Sequence, residues 1–209
     1  MFTIYQITVA VNVLTILLLT VLNFYYTAGD LTIGGIADFK EFEYGEDLFF
    51  EITHPPELQY TYRIRPAKDI GVPFHKEKFP PKKSKLILVD PDHGCDTPKN
   101  ARNIRGNVAF VKRGECSFLK KTIVMETCGA KAVVIADNNI YDDSYYIHMI
   151  DDESKLKANI PAGFLVGRSG HLIHSTMTEL KLKELPIVFP LNMTFVPLHE
   201  MNQPPWIPI

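Results

Sequence analysis

Apolar and polar positions change rhythm several times along this chain, and each change marks an element. Leu58-Gln59-Tyr60-Thr61-Tyr62-Arg63-Ile64 alternates with a period of two, so Leu58, Tyr60, Tyr62 and Ile64 share one face of a strand. Leu86-Ile87-Leu88-Val89 is a short apolar strand bounded by Pro80-Pro81 and Pro91. A third strand, Val108-Ala109-Phe110-Val111, leads into a tight Arg113-Gly114 turn. Ser117 then stands where a helix wants its N-cap, and the helical stretch runs to Gly129, which can end it in the left-handed conformation. Phe118, Thr122 and Met125 form one stripe of this helix and Leu119 and Ile123 a second, so it wants cover on more than one side. The strand Ala132 to Ala136 follows at once. A polar, Asp-rich excursion over 141–157 precedes the strand Ala162 to Val166 and a second amphipathic helix with Ile173, Met177 and Leu180 as its core stripe. The last strand, Ile187 to Val196, sets Ile187, Phe189, Leu191, Met193 and Phe195 on one face. The pattern predicts an α/β fold of about seven strands.

The N-terminus breaks this rhythm altogether. Met1 to Gly29 holds no charged side chain, and Ile7 to Leu22 is almost continuously apolar. Small residues in Thr27-Ala28-Gly29 suit a signal-peptide cut before Asp30. The apolar stretch is also long enough to approach a membrane span, with Phe24-Tyr25-Tyr26 as an aromatic belt. Cleaved signal and uncleaved anchor both remain open, and membrane association follows only from the second. Either way the rest of the chain is delivered to the secretory lumen. The expected division is a leader over 1–29, an extension over 30–57 ending as an edge element, a domain over 58–196 and a proline-rich tail over 197–209. Trp206 in that tail either folds back onto the domain or is offered to a partner.

At 209 residues the chain suits one domain with extensions. With 22 basic and 24 acidic side chains the net charge is -2, and the longest basic cluster is Lys82-Lys83-Ser84-Lys85. That is a solvated strand entry rather than a nucleic-acid footprint.

Catalytic and metal patterns are weak. His171 and His174 stand three apart in the second helix without a third ligand, off its apolar stripe, and read as solvated. The acidic loop Asp90-Pro91-Asp92-His93-Gly94-Cys95-Asp96 has Ala101 where a calcium loop closes with Glu. Asp142-Asp143 and Asp151-Asp152-Glu153 read as a solvated acidic loop. No G-x-S-x-G elbow occurs. No catalytic residue, metal or cofactor is expected. Asn192-Met193-Thr194 is the one N-glycosylation sequon, and the alternation of the last strand turns Asn192 towards solvent.

Val111-Lys112-Arg113-Gly114-Glu115-Cys116-Ser117-Phe118, Gly129-Ala130-Lys131-Ala132-Val133-Val134-Ile135 and Ile160-Pro161-Ala162 together resemble the protease-associated (PA) domain over about 86–195. The resemblance implies a mixed, strongly curved sheet or open barrel flanked by two helices. It also implies a non-catalytic lid or interaction module whose partner is a protein. PA domains that resemble this one often carry a cysteine in the loop before the RG-x-C turn, as Cys95 and Cys116 do here. Pairing them closes a loop of about twenty residues, on the order of 3 kcal/mol if unstrained. Cys128 is left over, as a buried inert thiol or an intermolecular bridge. Three functions stand: a secreted interaction glycoprotein, a luminal cargo-binding factor held by its anchor, and an unrecognised hydrolase.

Overall fold

The computed structural model describes residues 47–74, 82–141, 147–191, 193 and 196–207, all within the compact unit Glu43–Ile209. The leader, the acidic region at 142–143, Asn192 and Phe195 lie outside the described residues. Seven strands run in chain order: β1 (Leu48–Ile52), β2 (Thr61–Pro66), β3 (Lys82–Leu88), β4 (Val108–Lys112), β5 (Ala132–Ala136), β6 (Ala162–Leu165) and β7 (Glu184–Leu191). Helices α1 (Ala101–Ile104), α2 (Phe118–Thr127) and α3 (Gly167–Glu179) sit between β3 and β4, β4 and β5, and β6 and β7.

The strands close into a barrel in the order β1-β2-β6-β5-β4-β3-β7. β3, β4, β5 and β6 are parallel neighbours, and the other pairings are antiparallel. The expected mixed, strongly curved sheet is present, and its curvature goes on to full closure, with β1 as the closing strand. Phe50 pairs with Tyr62 of β2, while Ile52 pairs with Ile187 of β7. β1 is thus no edge, and the barrel begins ahead of residue 58, inside the expected extension. Its burial explains why: Leu48, Phe49, Phe50 and Ile52 are all buried, so both faces of this strand are covered.

One apolar cluster draws residues from every strand, among them Phe50, Tyr62, Leu86, Phe110, Val134, Leu165 and Ile187, and fills the barrel. The second draws on β3 to β6 alone (Ile87, Ala109, Val111, Val133, Ile135, Phe164) and is covered by Ile104 of α1 with Leu119 and Met125 of α2. Alternate residues of β4 and β5 thus face opposite clusters, as the pleat requires. Those strands are buried on both faces and read as continuous apolar runs.

Ser117 caps α2 as expected, its hydroxyl accepting from the Lys120 amide at 3.0 Å, and Gly129 follows the helix with φ +82°. In α3, Ile173 and Met177 reach the barrel cluster, but Leu180 is the C-cap and is 48% exposed. Two helices were expected and three occur among the described residues. One-turn α1 is too short to show a period. β7 begins at Glu184 and ends at Leu191, with Leu185, Ile187 and Phe189 buried. Lys82, Lys83 and Lys85 are the exposed outer half of β3. The C-terminal tail folds back: Trp206 donates to the Ser169 hydroxyl at 3.3 Å and meets Tyr60 edge-on at 5.5 Å between ring centres.

Candidate functional site

Four parallel strands end on the same side of the barrel, so the segments that follow them gather at one mouth. The segment after β3 brings Asp90, Asp92, His93 and Cys95. The turn after β4 brings Arg113, Glu115 and Cys116, and the segment after β5 brings Asp137. α3, entering after β6, packs its Gly170 against Ala136 and Leu165 at the ends of β5 and β6, and so plugs this mouth. Crevices at the carboxyl ends of parallel strands are where α/β proteins commonly bind their ligands.

Asp92 is the centre of the charge pattern. Its carboxylate lies 2.8 Å from Lys112 Nζ and 3.2 Å from His174 Nε2, and its carbonyl accepts from the Lys112 amide at 2.8 Å. Burial pushes the Asp92 carboxyl up, but the hydrogen bond and charge of Lys112, aided by His93 and His174, outweigh this and hold it below the usual carboxylate value. The His174 imidazole pKa is lowered as well, which for this group favours the neutral form. Burial and the Lys112 charge push it down, against the pull of Asp92. The expectation of a solvated His174 is corrected here: its side chain is only 20% exposed, because the loop after β3 folds against α3. His171 is exposed, as expected.

Beside this triad, Arg113 donates to Asp137 Oδ1 at 2.9 Å, with that carboxylate only 4% exposed. The same oxygen accepts from the Asn138 amide at 2.8 Å. His93 Nε2 lies 3.4 Å from Glu115 Oε1, while its buried Nδ1 has no hydrogen-bond partner among the described residues. Cys95 and Cys116 are joined in the structure, with Cα atoms 5.9 Å apart, and Cys128 is a buried free thiol. Burial raises the Cys128 pKa, which suits an unreactive group.

Lys121 was not anticipated. It lies in α2 with no exposed surface, and its ammonium donates to the carbonyls of His93 and Gly114, both at 2.6 Å. The segment after β3 and the turn after β4 are therefore tied twice, once by the disulfide and once by this lysine. Ser117 also hydrogen-bonds Asp152, which tethers the β5–β6 segment to the start of α2.

An open groove of about 460 Å³ runs beside the mouth, lined by Leu88, Val89, Asp90, Pro91, Asp92, Asn100 and Lys183. Asn100 is committed to its wall: it donates to the Leu88 carbonyl at 2.7 Å and accepts from the Asp90 amide at 3.1 Å. Among the described residues no group of three or more His, Cys, Asp or Glu side chains is arranged to hold a metal ion. Asp92 and His174 have the geometry of an orienting pair, but Ser169, the α3 serine near the mouth, is buried and accepts from Trp206. The arrangement can present charge and shape, held by covalent and buried restraints.

The family model described as PA domain matches residues 82–173. A PRADC1-like protein of Drosophila melanogaster is 47% identical over 165 residues, covering 77% of this chain and 82% of that protein. Signal peptide peptidase-like 5 of Oryza sativa subsp. japonica is 33% identical over 97 residues, covering 46% of this chain and only 17% of that protein. Among solved structures, an aminopeptidase from Aneurinibacillus sp. strain AM-1 matches with a TM-score of 0.48 and 17% identity, covering 69% of this chain and 30% of that one.

Proposed function

The chain belongs to the protease-associated (PA) domain family, and we propose that it works in the secretory pathway as a non-catalytic glycoprotein that binds a protein partner through the barrel mouth. The observation that carries this reading is the state of the charged groups there. Asp92 is shared between Lys112 and His174, and Asp137 is held by Arg113. Asp92, His174 and Asp137 are each already engaged, which suits recognition better than turnover. The disulfide and Lys121 brace the loops, so a partner would meet a preformed surface and little ordering entropy would oppose binding. A disulfide also suits an oxidising compartment, and the uncharged apolar stretch before Asp30 supplies the route into it. Asn192 would carry the glycan.

The test is quantitative capture from secretory-lumen extracts on the immobilised full chain, against a variant with the exposed mouth charges reversed, Asp90→Lys and Glu115→Lys. A partner held by the wild type and lost from a folded variant supports the reading. Retention of every captured protein by the variant refutes the mouth as the interface. Peptide or glycoside hydrolysis that disappears with His174→Ala would instead make the protein an enzyme. Glycosylation is checked separately, by a mass loss on peptide-N-glycosidase treatment that Asn192→Gln abolishes.

A further inference from the structure

Lys121 is more than a brace, because of what its third contact is. Its ammonium stands 3.5 Å from the Cys95 sulfur as well as 2.6 Å from two carbonyls. Among the described residues it meets no carboxylate at ion-pair distance, so a buried cation sits beside a disulfide with no anion of its own. Burial brings its pKa down to about 8, with Glu115 and Asp92 opposing, and it stays mainly protonated at neutral pH. Cys95 and Cys116 are both half-buried rather than enclosed, and Glu115, just before Cys116 in the turn, is exposed.

We infer that Cys95–Cys116 is a site of thiol–disulfide exchange with a dithiol partner, in which the partner attacks Cys116 and Lys121 receives the charge that develops on Cys95. A thiolate of the partner bonds to the Cys116 sulfur as the S–S bond breaks, and the electron pair stays on Cys95 beside the ammonium. The partner's second thiol loses its proton and attacks its own sulfur in the mixed disulfide. Cys116 leaves with that electron pair and takes up a proton. The chain gains two electrons as a dithiol and the partner loses two as a disulfide. A nearby cation favours the thiolate, and a more stable leaving thiolate is displaced faster, so Lys121 selects which sulfur leaves. The same lysine keeps its two carbonyl bonds throughout, so the loops it ties stay together while the covalent link is open. Exchange is then local and reversible.

The experiment is site-resolved alkylation. The purified full chain is reduced with dithiothreitol and each thiol is titrated by its iodoacetamide rate against pH, read by peptide mass. Cys95 is expected to titrate below the ordinary thiol value of about 8.5 and below Cys116. Lys121→Met is expected to raise Cys95 by about one pH unit, leave Cys116 in place, and slow reduction of the oxidised chain several-fold. Lys121→Arg keeps the cation and is expected to keep Cys95 low. If Lys121→Met does not fold, the wild type alone decides: Cys95 at or above 8.5, or Cys116 the lower of the two, overturns the assignment. Equal Cys95 values in wild type and a folded Lys121→Met overturn it as well.

Discussion

Replacing Gly167 with alanine sets two physical effects of opposite sign against each other. Gly167 is the first residue of α3, where alanine's better helix propensity predicts a gain of up to about 1 kcal/mol. The structure predicts a loss. A Cβ added at Gly167 would overlap the backbone oxygen of Asn139, and would sit 2.5 Å from its carbon and 3.2 Å from the Ile140 nitrogen. Ordinary carbon–carbon contact is about 3.5–4 Å, so the Asn139 carbon must retreat by about 1 Å and its oxygen by more. Because it is main chain on the segment after β5, no rotamer change relieves it. Overpacking of this kind costs about 3 kcal/mol, the upper end of its usual range, and subtracting the propensity gain leaves a net loss of about 2 kcal/mol. For a unit of this size that is a fall in Tm of about 4–8 °C. Urea unfolding followed by far-UV circular dichroism measures it, with an unchanged m-value required for a clean reading. Amide exchange at Asp137 to Ile140 should quicken, since that segment is the one displaced. A Gly167→Ala protein as stable as the wild type, or more stable, would refute the close approach of α3 to this segment.

Two further outcomes follow from the mouth and the tail. His174 is pushed below its ordinary value, so the unfolded chain takes up this proton first as pH falls below about 6.5. The associated stability is present above that pH and lost beneath it; Asp92, also depressed, adds its loss only at more acid pH. Unfolding free energy should therefore decline between pH 7 and pH 5, and decline less in His174→Gln; parallel profiles would sink this reading. Trp206 is the chain's single tryptophan, so its emission reports whether the tail stays docked. Its unfolding transition should coincide with that of the barrel, and Trp206→Ala should cost about 2 kcal/mol through lost contact with Tyr60 and Ser169. An earlier fluorescence transition would show a tail that detaches by itself.

What the sequence disclosed was local, and what it hid was long-range. The Ser117 cap, the Gly129 stop and the alternation that buries Ile187 and Phe189 are all written within a few residues of the feature they decide. β1 reads from sequence only as an edge element, because Leu48-Phe49-Phe50-Glu51-Ile52 is covered on both sides and its alternation is blurred. The pairing of β1 with β7 joins residues more than 130 positions apart, and no local period announces it. His174 lies off the apolar stripe of α3 and reads as solvated until the segment after β3 is folded against it. Lys121 is the hardest case: nothing nearby in sequence foretells that two carbonyls from separate loops will solvate its ammonium.

The ring of paired strands also decides which parts of the barrel backbone stay open. With β1 bridging β2 and β7, none of the described strands offers an unpaired ladder of amides and carbonyls. None of the described strands therefore gives an extended peptide a free edge to lengthen. What the described strands turn outward is side chains and turns at the rims rather than open backbone. Among the described residues, cross-β association finds no open strand to start from.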